Sequence, residues 1–403
     1  MGFFQIFQDD PYIALIPFFS AFVGWFTNVL AVRMMFYPTE FVGVAKPWLG
    51  WQGLVPANAR RLARMSTELI LTKLLSLKEL FGSFKGEEFA EELDAVVNDT
   101  SQQILDEIKA RVPVLWDNAG EFMQKTIEDG VRVKVREVTI KIVDDFGDNI
   151  EDVLDLERVV IDAVVKDKKL MSMMFLQVGE AEFKFIERSG IWFGLLFGII
   201  QMVVWAYFPA DWVLPLAGFF VGYATNWVAL KLIFQPRYPK KFGPFTIHGL
   251  FHKRQKEVAG AFSKLTAGKV LNADNITETI TTGETSEKIF GIVTGRINEL
   301  IDEYEGHPML AMAVPEAERT EIRTEIVQRI RDELPKPGGL LHTFAGKSVN
   351  IQDELESRMQ ELPPEEFEGV LRPAFQQDEW KLILAGAALG FAAGVLQFVY
   401  VFS

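Results

Sequence analysis

The sequence contains no cysteine. Disulfides, thiolate nucleophiles and sulfur metal sites are therefore excluded. Histidine is almost as scarce, and no catalytic or metal-binding set is expected of His248, His252, His307 and His342. His248 and His252 have a helical metal-ligand spacing, but no Glu follows His248 and Gly249 weakens a helix there. The first ten residues, MGFFQIFQDD, lack Lys and Arg and end in two aspartates. A cleavable signal peptide is not expected, and the first apolar block reads as a retained anchor. Ile6 stands where N-myristoylation calls for Ser or Thr. No phosphate loop, nucleophile elbow or dinucleotide fingerprint occurs. Basic surplus is missing too: the net charge of −14 argues against a nucleic-acid partner. It reads as a solvated acidic surface. Carboxylate runs such as Glu87-Glu88 and Glu365-Glu366 read as solvated helix starts. With no titratable constellation in view, neither an enzyme nor a cofactor is expected.

What the chain does have is apolar residues gathered in four blocks: 12–36, 191–208, 212–234 and 382–402. Each is close to the ~20 residues that a helix needs to cross hydrocarbon. Trp192, Trp205, Trp212, Trp380 and Tyr400 sit near block ends, where amphipathic rings favour the membrane interface. The blocks belong to a duplication. GWFTNVLAVRMMFYP at 24–38 matches GYATNWVALKLIFQP at 222–236. Gly190, Gly194, Gly198 and Gln201 match Gly386, Gly390, Gly394 and Gln397 in the same spacing. The expected fold is an all-α membrane protein with two parallel internal repeats. Repeat one is 1–208, with membrane helices at 12–36 and 191–208 around an insert at 38–189. Repeat two is 212–403, with membrane helices at 212–234 and 382–402 around an insert at 236–379.

Orientation follows from basic residues near the segment ends. Lys46, Arg60, Arg61 and Arg64 follow the first block, and Arg237, Lys240, Lys241, Lys253, Arg254 and Lys256 follow the third. The connection at 206–212 carries neither Lys nor Arg. Both inserts are thus expected in the cytoplasm, with both termini and the short connection outside. The inserts read as mainly helical, although short segments such as 243–251 are expected to be extended or hairpin-like. Val131, Val133, Val135, Val138, Ile140 and Ile142 alternate like a strand, yet a 4-3-4 stripe through them favours helix. That valine stripe and a Met-rich one near Met171 and Met174 have no obvious partner in sequence, which makes a homo-oligomer the expectation.

Three sets of candidate site residues follow. Thr27, Asn28, Thr225 and Asn226 lie within hydrocarbon, where an amide is costly unless paired. They either hold helices together or line a polar site. The rows Gly190, Gly194, Gly198 and Gly386, Gly390, Gly394 let backbones approach closely, with Gln201 and Gln397 one turn beyond as hydrogen-bonding groups. Arg60, Arg61, Arg64, Lys253, Arg254 and Lys256 are placed to contact anionic headgroups of membrane lipid.

The sequence resembles the bacterial membrane family called domain of unknown function 445. The resemblance rests on GWFTNVLAVRMMFYP, on Gly53-Leu54-Val55-Pro56 followed by Arg60, on FLQVGEAEFKFIERSGIWFGLLFGIIQ at 175–201, and on LRPAFQQDEWKLILAGAALG at 371–390. It implies an integral protein of the bacterial inner membrane with helical inserts. It carries no catalytic residues over. The features together point to a non-enzymatic, self-associating protein that scaffolds or shapes that membrane. The alternative is an oligomeric conduit for a lipid, ion or small solute.

Overall fold

Hydrocarbon offers no partner to a backbone polar group, so a long apolar run crosses it as a helix that satisfies itself. The computed structural model describes residues 11–45, 49–74, 76–81, 85–87, 93–111, 113–282, 284–305, 316–346, 350–372 and 379–402. Lys46, Glu88 and His307 lie outside these. Among the described residues four helices are long and apolar enough to span a membrane: Pro11–Phe36, Glu180–Tyr207, Val213–Phe234 and Glu379–Phe402. The second starts well before its apolar block, because Glu180–Arg188 continues the same helix into polar sequence. The architecture is that of an all-α membrane protein.

The first half runs α1 (Ile16–Phe36), a hairpin of β1 (Val42–Ala45) and β2 (Leu49–Trp51), α2 (Leu54–Ala57) and α3 (Ala59–Leu69). A π-helical turn at Ile70–Leu74 ends α3. Then come α4 (Asp94–Arg111), α5 (Gly120–Asp148), α6 (Leu156–Lys166), α7 (Lys168–Val178) and α8 (Glu180–Tyr207). The second half opens with α9 (Val213–Phe234), a hairpin of β3 (Lys240–Phe242) and β4 (Phe245–Ile247), α10 (Leu250–Lys253) and α11 (Gln255–Leu265). Another π-helical turn, Thr266–Val270, ends α11. It continues through α12 (Ala273–Thr281), α13 (Glu284–Glu305), α14 (Glu316–Glu333), α15 (Leu340–Gly346), α16 (Asn350–Glu361), α17 (Pro364–Leu371) and α18 (Glu379–Gln397).

Contacts divide the chain into two units, each drawn from both halves. One comprises Met1–Leu69, Val164–Leu265 and Glu356–Ser403 and holds all four membrane helices. Its helices associate in antiparallel pairs through glycine. Gly24 lies against Gly190, Gly194 against Ser20 and Ala21, and Gly198 against Pro17 and Ser20, so α1 and α8 run in opposite directions. Gly222 meets Gly386, Gly218 meets Gly390, and Gly394 meets Leu214 and Pro215, which gives α9 and α18 the same arrangement. A carbon added at Gly24, Gly190, Gly222 or Gly390 would collide with opposing backbone, which cannot yield. Near the α8–α9 connection Ile13, Ile16, Trp205, Val213 and Leu214 form an apolar cluster. Trp205 packs there against the tilted Phe402 ring at 5.2 Å and is buried, unlike the exposed Trp192, Trp212, Trp380 and Tyr400. Its indole fills a core and does not face an interface.

The other unit comprises Ile70–Ala163 and Thr266–Leu355. The ambiguous valine segment is helical: it lies within α5, which packs on α4 and α13. Val135, Ile142, Val143 and Phe146 are buried, with Phe146 edge-on to Phe344 at 5.7 Å. Arg296 of α13 holds both carboxylate oxygens of Asp145 at 2.6 and 2.8 Å. Much of the valine stripe therefore has its partner within the chain, as do the buried Met171 and Met174 in the first unit.

Candidate functional site

Within the membrane helices, each asparagine reaches the helix that its own helix pairs with. Asn28 Nδ2 donates to the Ile186 carbonyl at 2.6 Å, and Asn226 Nδ2 donates to the Leu382 carbonyl at 3.1 Å. Thr27 and Thr225 turn back on their own helices, donating to the Gly24 and Gly222 carbonyls at 3.2 and 3.3 Å. All four residues are buried. One turn past the glycine row, Gln201 accepts from Ser20 Oγ at 2.8 Å. Asn28 Oδ1, Gln201 Nε2 and Gln397 Nε2 are buried without a protein partner. Arg33 and Lys231 sit near the opposite helix ends and are exposed, with Lys231 over the Trp227 ring at 4.6 Å.

Where α9 ends, its last carbonyls lack intrahelical donors. Histidine meets one of them: His252 Nε2 lies 3.2 Å from the Phe234 carbonyl, while His248 Nε2 lies 3.0 Å from the carbonyl of Arg237, three residues past the helix end. In the first half Gln52 Nε2 does for Thr39 what His248 does for Arg237, donating at 2.9 Å. His252 thus caps the helix end and His248 ties down the segment that follows it, and among the described residues no group of three His, Asp or Glu could hold a metal ion.

Beside His252 is a buried carboxylate. Glu368 of α17 is 2% exposed. Arg237 Nε donates to it at 2.6 Å, Arg372 donates to it from the same helix, and His252 Nε2 is 3.8 Å away. Phe367 stacks on Phe251 at 4.6 Å and closes the cluster. Burial pushes the His252 imidazole down from its ordinary value, against the opposing pull of the Glu368 carboxylate. A second buried carboxylate, Glu182 at the start of α8, takes both of its bonds from Arg254 Nη1 at 2.8 Å. Glu182 also edges a crevice of about 20 Å³ among Phe175, Phe183, Ile186, Leu230 and Phe251. That is room for about one water molecule, and its lining is apolar. It offers no chamber for a substrate.

Among the residues expected to meet lipid headgroups, Arg60, Arg61, Arg64, Lys253 and Lys256 are exposed. Arg254 is half-buried and held by Glu182 and Glu257. Glu182 and Glu368 escape a sequence reading because a glutamate in an acidic stretch looks solvated. The available signal is position: Glu368 sits between Phe367 and Val370, both fully buried.

Comparison with known proteins gives short matches to membrane proteins of cyanobacteria. A UPF0754 membrane protein of Cyanothece sp. is 38% identical over 69 residues, 17% of this chain and 17% of that one. One from Synechococcus elongatus is 43% identical over 67 residues, 15% of each. One from Microcystis aeruginosa is 27% identical over 138 residues, 34% of this chain and 29% of the relative. The chain thus spans about a sixth of the length of the first curated relatives it matches. No family model matches the chain, and no solved structure matches it. The relatives' name is compatible with the resemblance to domain of unknown function 445 and does not itself carry that designation. Four apolar helices and relatives named as membrane proteins make this a multi-pass integral membrane protein.

Proposed function

We propose that this chain is a non-enzymatic, self-associating protein that scaffolds or shapes the bacterial inner membrane, with both inserts in the cytoplasm and anionic lipid and further copies of itself as partners. The observation that carries the reading is apolar surface outside the membrane helices. Val114, Phe122, Met123 and Val133 are 71%, 86%, 50% and 64% exposed. They occupy α5 and the short helix Pro113–Asn118 before it, in a unit where Val135 and Ile142 of the valine stripe are buried. Phe122 and Val133 lie eleven positions apart and so on one face of α5, and an exposed apolar face supports an interaction surface. A second copy is the fitting occupant, because confinement to one membrane raises the effective concentration of identical chains.

Mass measurement of the intact protein in native membrane discs tests this. Oligomers that fall apart in Phe122→Lys are the expected result, and a monomer at every protein-to-lipid ratio would overturn the reading.

A second reading, an oligomeric conduit, has one observation in its favour: the buried and unpartnered Asn28 Oδ1, Gln201 Nε2 and Gln397 Nε2. Such groups suit a polar solute or water. Intact assembly with lost flux in Asn28→Leu/Asn226→Leu would favour it.

A further inference from the structure

The two β-hairpins are the least covered elements of the membrane-bearing unit. All of Val42–Ala45 and all of Phe245–Ile247 are exposed on both faces, as is Leu49. Val44 is 94% exposed and Phe245 73%. An isolated two-stranded hairpin is at best marginally stable in water. Bare strand edges carrying valine and phenylalanine also invite aggregation. Something must cover them.

Their tethers say what. Only residues 37–41 separate α1 from β1, and only residues 235–239 separate α9 from β3. Each hairpin also returns to the helix end from which it departed. Gly53 N–H donates to the Pro38 carbonyl at 2.9 Å, and Gly249 N–H donates to the Pro236 carbonyl at 2.9 Å. Gly53 sits on the Phe36–Tyr37 backbone and Gly249 on that of Ile233–Gln235, so closely that an added Cβ would collide in both places. The Gln52–Thr39 and His248–Arg237 bonds add a second rung at each base. A hairpin pinned at both ends to the terminus of a membrane-spanning helix stays at the level of the lipid headgroups.

Its chemistry suits that level. In the second hairpin Lys240 pairs with Ile247 and Lys241 with Thr246, and Gly243 makes the turn at φ 61°. Residues directly opposite share a face. Phe245 and Ile247 therefore share one face with Lys240, while Lys241 and Thr246 take the other. Both lysines are exposed. Apolar side chains with lysines beside them is the pattern of segments that lie in the interface and attract anionic lipid.

We infer that both hairpins are interfacial anchors, with Val44 and Leu49 on one and Phe245 and Ile247 on the other seated in the headgroup layer, and with Lys240 and Lys241 on anionic headgroups. The inference rests on the membrane character of the chain and stands apart from self-association.

The absence of cysteine supplies a clean background for the test. Val44→Cys and Phe245→Cys, in the full-length protein, are labelled with a nitrobenzoxadiazole dye. The proteins are reconstituted in phosphatidylcholine vesicles with or without phosphatidylglycerol. The expected result is blue-shifted emission, quenching by a nitroxide borne high on the lipid chain, and protection from aqueous iodide. Phosphatidylglycerol should strengthen all three at position 245, and Lys240→Glu/Lys241→Glu should remove that increment. Leu49→Cys and Ile247→Cys repeat the measurement if a first variant fails to reconstitute. Free quenching by iodide, with none from the lipid nitroxide, would overturn the inference. So would protection that vanishes at one chain per vesicle, since a second copy would then be the cover. Resistance of the same samples to alkaline extraction separates failure of the anchors from failure of the membrane reading.

Discussion

Asn28 and Asn226 each extend one amide N–H across a helix pair, and the worth of that bond is measurable. Replacing either with leucine should lower stability by about 0.6 kcal/mol, with ~1.7 kcal/mol as the upper end for such bonds in membrane proteins. Denaturant unfolding in detergent reads the difference. His252 gives a pH dependence. Burial holds its imidazole below the ordinary value near 6.5, so the unfolded chain takes up a proton first as pH falls. Stability owed to the neutral, buried ring is whole above about pH 6.5 and is lost progressively below it. Glu368, His248 and Arg237 are the charged or titratable groups facing the ring. The thermal midpoint in detergent should fall on acidification from about pH 8 to about pH 5.5, and His252→Gln should flatten that fall. At this scale the intramembrane asparagines were legible because an amide within an apolar run stands out. Glu182 and Glu368 were not, because the partners that bury them, Arg254 and Arg237, lie 72 and 131 positions away.

Between elements, helix pairs depend on glycine rows that only a backbone can fill. Gly190 faces the Gly24 carbonyl and the Trp25 nitrogen, with no flexible side chain to move aside. Gly190→Leu should force α1 and α8 apart and cost about 1–3 kcal/mol or more. A lower unfolding midpoint in detergent, against an unchanged midpoint for leucine at the lipid-exposed Ile199 of the same helix, checks this. The apolar blocks foretold the membrane helices because length and hydropathy are local properties. The early start of α8 was less visible, since Glu180–Arg188 has the composition of a solvated segment and becomes part of the long helix through burial of Phe183 and Ile186. The valine segment in α5 shows the limit of short-range periodicity: the same residues fit two periods, and packing against α4 and α13 accompanies the helical choice. The π-helical turns that end α3 and α11 have no sequence signature here, yet both fall where the chain leaves one unit for the other, at Ile70 and Thr266.

For the molecule as a whole, the proposed orientation puts the α8–α9 connection outside and the inserts inside. Single cysteines at Ala210 and at Lys336, in otherwise unaltered protein, test it in intact cells with a membrane-impermeant maleimide. Labelling at 210 without permeabilisation, and at 336 only after it, is the expected outcome; the reverse pattern would invert the assignment. The matching motifs at 24–38 and 222–236 are visible in the residues alone, whereas the assembly of each unit from both halves is not, because no local pattern says which distant segment a face will meet. That arrangement has a consequence for synthesis. Phe146 must wait for Phe344, its ring partner in the same unit. At ordinary translation speeds the delay is roughly 10–40 s. A nascent chain halted between them leaves the Phe146 ring of α5 without its partner and open to misplaced contacts.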